Sequence, residues 1–185
     1  LIDDLRKQTL DRFNNDTRNF ASIDNYIIGP SRGKDLTQDK EFQSKIASYL
    51  DPENKNTREK MLLIIKKNHS VVEKLIEIID GIETPARRRL GDVIIIDDEC
   101  DYASMDSNNA DQTNAKETRT NLVIRKLIDS FRRSDRFRAL CWYIGYTATP
   151  FSNLLVNPYG EGTDELPTLF PRGFIYPISK NDMHI

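Results

Sequence analysis

Scarce residue types narrow this sequence before any motif is read. Among 185 residues there are two cysteines, two histidines and one tryptophan. Cys100 and Cys141 lie on or beside apolar segments without CxxC or Cys/His spacing, which fits reduced, packed thiols rather than a disulfide framework or a zinc site. His69 and His184 lack ligand partners at useful spacing, and no Ser/His/Asp or Cys/His nucleophile set is visible. No apolar run reaches the ~18 residues that span a bilayer, and no charged-then-apolar leader opens the chain. The expectation is a cytoplasmic protein with no membrane partner. An excess of one charge is missing too, with 27 Lys and Arg against 29 Asp and Glu. Bulk charge therefore announces no nucleic acid, and any such contact must be local.

What is present suits one α/β domain spanning residues 1–185, since a 38% hydrophobic chain of 185 residues can bury a single core of ordinary size. Ile2 to Phe13 reads as a helix and Asn25 to Ile28 as a short strand ended by Gly29-Pro30. From Thr37, read as the N-cap, Phe42, Ile46 and Tyr49 recur at the spacing of one helix face, closed by Asp51-Pro52. Met61 to Ile65 is an apolar run, after which Ser70-Val71-Val72-Glu73 supplies a capping box for a helix running to Gly81. Val93-Ile94-Ile95-Ile96 is β-branched and apolar on both faces, the pattern of a strand covered on both sides in a parallel sheet. Ser104 to Thr118, polar and without periodicity, is expected to be a mobile loop. Leu122, Ile124, Leu127, Ile128 and Phe131 place an apolar stripe on a helix over Thr120 to Ser134, and Cys141 to Tyr146 forms another strand. Strands alternating with helices predict a mainly parallel sheet.

In such a sheet ligands collect beyond the carboxyl ends of the strands. Two motifs fall there: Asp97-Asp98-Glu99-Cys100-Asp101 after Ile96, and Thr147-Ala148-Thr149-Pro150 after Tyr146. A carboxylate at a strand end can hold Mg²⁺ through water, and its neighbour can orient the water that attacks the γ-phosphate of ATP. Asp98 suits the first role and Glu99 the second. The hydroxyls of Thr147 and Thr149 can bond Asp101 and transmit the state of the nucleotide site. An isolated acidic run often does no more than solvate a loop, but four carboxylates delivered to one sheet edge repel unless a cation or donors compensate them.

Gly29-Pro30-Ser31-Arg32-Gly33-Lys34-Asp35 resembles a phosphate-binding loop, but it is one residue short and offers Asp where a Mg²⁺-binding Ser or Thr belongs. It reads as an ordinary turn. Arg87-Arg88-Arg89, Arg132-Arg133 with Arg136 and Arg138, and Lys66-Lys67 are basic runs of the kind that usually remain solvated. Lys66 and Lys67 are the better phosphate candidates, because they follow a strand end.

The stretch Val93 to Asp101, Asn121 with its helix, and Gly145-Tyr146-Thr147-Ala148-Thr149-Pro150-Phe151-Ser152-Asn153-Leu154-Leu155 resemble the Z1 domain, an endonuclease-labelled family of bacterial helicase-like proteins. Weaker likenesses are Leu5 to Thr9, Lys66-Lys67-Asn68 and Phe170 to Ile175. The resemblance implies a RecA-like, three-layer αβα first motor domain of the superfamily 2 type. The acidic cluster would be its Walker B motif and the threonine turn its motif III. It further implies action on DNA in restriction or phage defence, with a second RecA-like domain of the same protein; restriction or defence subunits are expected partners, and DNA is expected near Lys66, Lys67 and Asn68. The sequence departs from such a motor in lacking a phosphate-binding loop. The chain opens at Leu1 inside a helical pattern, so it reads as a fragment, incomplete at the N-terminus and inactive alone, with that loop expected upstream. Two rival readings remain open: a metal-dependent nuclease using Asp97, Asp98, Glu99 and Asp101 directly, and a non-catalytic DNA-binding or assembly module.

Overall fold

The computed structural model describes residues 2–17, 26–31, 33–50, 60–81, 92–101, 119–132, 140–149, 166 and 168–178. In chain order these form α1 (Ile2–Thr17), β1 (Tyr26–Gly29), α2 (Lys40–Leu50), β2 (Lys60–Leu63), α3 (His69–Asp80), β3 (Val93–Asp98), α4 (Arg119–Arg132) and β4 (Cys141–Tyr146). The class is mixed α/β. β1 pairs with β2 in parallel, Tyr26 opposite Lys60, and β3 pairs with β4 in parallel, from Val93 opposite Cys141 to Asp98 opposite Tyr146. Parallel neighbours need a crossover between them. α2 lies in the connection from β1 to β2, and α4 in that from β3 to β4. The described strands form two small sheets.

α2, α3 and α4 each bury one stripe. α2 buries Phe42, Ile46 and Leu50, and α3 buries Val71, Val72, Leu75 and Ile79. α4 buries Val123, Ile124, Leu127, Ile128 and Phe131. The stripe on α4 thus includes Val123, which the sequence reading passed over, while Leu122 is only half-buried. α3 packs on both α2 and α4, and Val93, Ile95, Cys141 and Tyr143 join the same cluster from the strands. Fully burying one such aliphatic side chain is worth about 1.5–3 kcal/mol, so these stripes decide which way each helix faces.

Three expectations need correction. α2 is capped by Asp39, not Thr37: Asp39 Oδ1 accepts from Phe42 N at 3.1 Å, while the Thr37 hydroxyl donates to Asp35 Oδ1 at 2.5 Å. α3 is capped by Asn68, whose side-chain oxygen accepts from Ser70 N at 2.9 Å, which places Ser70 inside the helix. Among the described residues, the pairing of β3 and β4 is covered on one face only. Ile94 and Ile96 are 59% and 70% exposed, and Trp142, on the same face, is 57% exposed. The helical core meets the opposite face, where Val93, Ile95 and Tyr143 point. Ser104 to Thr118, Asp51-Pro52, and the basic positions Arg87, Arg88, Arg89, Arg133, Arg136 and Arg138 lie outside the described residues.

Candidate functional site at the strand ends

β3 ends in a step of alternating burial, which sorts its carboxylates. Asp97 is 6% exposed, whereas Asp98 and Glu99 are exposed. A buried carboxylate requires partners, and Asp97 has them. The Tyr143 hydroxyl on β4 donates to Asp97 Oδ2 at 2.7 Å, and Lys67 Nζ lies 3.0 Å from Oδ1. Burial first, and the neighbouring Asp97 charge second, push the Tyr143 hydroxyl well above its ordinary value.

After Asp98 the chain turns sharply. Asp98 Oδ1 accepts from Glu99 N at 3.1 Å, and Glu99 takes φ 50°, the left-handed region that a side chain disfavours. Cys100 N then donates to Tyr146 O at 3.0 Å, continuing contact with β4 past the end of the ladder. Behind this turn the buried Cys100 thiol sits where a side chain on β4 would go: a Cβ at Gly145 would lie 2.7 Å from Cys100 Sγ.

Asp101 closes the turn onto the threonine motif. Thr147 Oγ1 donates to Asp101 Oδ1 at 2.6 Å, and Thr149 Oγ1 donates to Asp101 Oδ2. Thr149 N donates to Thr147 Oγ1 at 3.0 Å, which orders the threonine turn internally. These are the bonds expected from the sequence between the two strand ends. The hydroxyls of Thr147 and then Thr149 hold the Asp101 carboxyl below its usual range.

Polar contacts join the loops that follow the strands. Lys67, in the loop after β2, donates to Asp98 O at 2.8 Å and to Glu99 O at 2.5 Å. Lys66 Nζ lies 3.5 Å from Asp35 Oδ2, in the loop after β1. The structure therefore brings Lys66 and Lys67 to carboxylates, and places Asn68 at the N-terminus of α3 as its cap.

The Gly29-to-Asp35 turn also uses its backbone internally. Ser31 N donates to Asp39 Oδ2 at 2.9 Å, and the buried Arg6 donates to the carbonyls of Pro30 at 3.4 Å, Ser31 at 3.4 Å and Lys34 at 2.8 Å. A carboxylate thus occupies the N-terminus of α2, where a phosphate-binding loop would present open N–H groups. Of the arginines in basic runs, Arg132 donates to Cys141 O at 3.1 Å and straps α4 to β4.

Sequence reading missed Tyr143 and Arg6 as partners of the site loops. Tyr143 reads as one more apolar strand residue, and the bonds of Arg6 to the turn span 24 to 28 positions. Among the described residues no three of His, Cys, Asp and Glu come together as a ligand group. Asp98 is the exposed aspartate of the cluster, and a single carboxylate there would suit Mg²⁺ only with water completing the oxygen shell. No family model, curated protein or solved structure matches the chain.

Proposed function

We propose that this chain supplies the hydrolysis and coupling half of a RecA-like, Z1-type nucleotide site in a protein that hydrolyses ATP and acts on DNA in restriction or phage defence. The reading rests on one observation. The acidic turn after β3 and the threonine turn after β4 are joined through Asp101, which leaves the Asp98 and Glu99 side chains exposed at the edge. Asp98 would hold Mg²⁺, which when bound neutralises charge on the phosphates. Glu99 would accept a proton from the attacking water, and Asp101 with Thr147 and Thr149 would relay the state of the site to the next segment of chain.

Partner usage weighs against the nuclease alternative. A two-metal site needs several carboxylates open toward the ions. Asp97 is engaged by Lys67 and Tyr143, and Asp101 by two threonine hydroxyls. Phosphate release from ATP in Mg²⁺ by the full-length protein, with and without DNA, tests the proposal. Release that Asp98→Ala eliminates is expected. Plasmid cleavage in Mg²⁺ or Mn²⁺ without ATP, lost in the same variant, would establish the nuclease instead.

A further inference from the structure

We propose that Lys67 is a positioning residue for the acidic turn and not a nucleic-acid contact; its catalytic consequence rests on the nucleotide reading above, but its structural consequence does not. A lysine ammonium has three N–H donors and no acceptor. Lys67 Nζ meets three acceptors at the end of β3: Asp97 Oδ1 at 3.0 Å, Asp98 O at 2.8 Å and Glu99 O at 2.5 Å. Two carbonyls and a carboxylate thus engage the ammonium within the protein, so contact with a nucleic-acid phosphate would compete with the acidic turn.

The acceptors explain why this placement matters. Two of them are the carbonyls on either side of Glu99 Cα, the residue held at φ 50°. Left-handed backbone at a residue with a side chain costs about 1–3 kcal/mol and persists only where its surroundings fix it. A cation gripping both carbonyls is such a fixture, and Asp97, itself held by Tyr143, anchors the cation from below. The contact also links the two sheets, since Lys67 follows β2 and its acceptors end β3, with no ladder between those strands among the described residues. The conformation that Lys67 holds at Glu99 fixes the direction in which its exposed side chain leaves the turn. Lys67 would therefore govern where the proton acceptor stands, without touching substrate.

The experiment compares wild type and Lys67→Met in the full-length protein by amide hydrogen exchange, ATP turnover and DNA binding across a salt series. Exchange at the Cys100 amide, which bonds Tyr146 O, should quicken at least about tenfold, while amides within α4 keep their protection. Turnover number should fall about 10²-fold with KM for ATP unchanged, the effect of misplacing a group by about 1 Å. The salt slope of DNA binding should not move. Lys67→Arg should recover part of the turnover, because a charged donor returns. Unaltered exchange at Cys100, or a reduced salt slope with normal turnover, would overturn the assignment. If wild type shows no ATP turnover the nucleotide reading fails, and the exchange result alone still decides the role of Lys67. If Lys67→Met does not fold, a crystal structure of wild type with an oligonucleotide replaces it. Lys67 Nζ should stay within hydrogen-bond distance of the Asp98 and Glu99 carbonyls, and finding it on a phosphate would overturn the proposal.

Discussion

Thr147 donates its hydroxyl to Asp101 Oδ1 at 2.6 Å across the ends of two paired strands, joining residues 46 positions apart. Thr149 serves the other oxygen of the same carboxylate. The acidic turn and the threonine turn are thereby one mechanical unit, and a change at either should reach the other.

A first prediction follows from the charge on Asp101. Its carboxyl is held below the ordinary 3.8 by the Thr147 and Thr149 hydroxyls. A lowered folded-state value means that the stabilisation is complete above the ordinary value and disappears as pH falls through the lower one. Hydrogen bonds to a charged group contribute about 1.5–3 kcal/mol when well shielded, and about 1 kcal/mol suits this partly open edge. Asp101→Asn should therefore lower stability at pH 7 by about that amount, and the gap from wild type should close below about pH 4. Urea titrations over the pH series check it. A gap that stays constant into strong acid would contradict the bonding.

The helix caps give a second prediction. Asp39→Ala removes the acceptor of both Phe42 N and Ser31 N and should cost about 1–2 kcal/mol. Asn68→Ala should cost about 1 kcal/mol, whereas Asn68→Asp should be close to neutral, because aspartate caps as well as asparagine. Thermal denaturation separates these cases. A loss in Asn68→Asp as large as in Asn68→Ala would mean that the amide has another task.

Packing behind the acidic turn gives a third. In Gly145→Ala the new methyl would meet Cys100 Sγ at 2.7 Å and Cys100 Cβ at 3.2 Å. Overpacking of this kind costs about 1–3 kcal/mol. Cys100→Ala in the same chain should recover much of it by deleting the sulfur. Equal stability of Gly145→Ala and wild type, measured in urea, would show that the turn yields freely.

A fourth concerns the bare sheet face. Trp142 is the only tryptophan in the sequence and is 57% exposed. Its emission should lie near that of tryptophan in water and be readily quenched by acrylamide. A blue-shifted, protected signal would show that the face carrying Ile94, Ile96 and Trp142 is covered in solution.

How far the sequence could be read depended on the range of the forces involved. β3, β4 and the stripe on α4 were legible because β-branched runs and helical spacing are local patterns, and β4 falls on Cys141–Tyr146 as read. The bonds from Thr147 and Thr149 to Asp101 were legible because two strand ends in one parallel pair must lie side by side. The caps were legible in kind and not in position. Thr37 or Asp39, and Asn68 or Ser70, are equally good cap types, and only the backbone geometry selects one. Lys67 could not be placed, since its acceptors lie some 31 positions away and two of them are backbone carbonyls that carry no residue code. The bare face of β3 ran against its sequence, because four consecutive apolar residues imply cover on both sides.

The nucleotide reading turns most directly on Glu99, exposed at the strand end beside Asp98. Glu99→Gln preserves size and shape while removing the proton acceptor. Steady-state ATP turnover and ATP affinity should be measured together in the full-length protein carrying this one change. Turnover should fall roughly 10²–10⁴-fold with ATP affinity intact. Turnover equal to wild type would contradict the account.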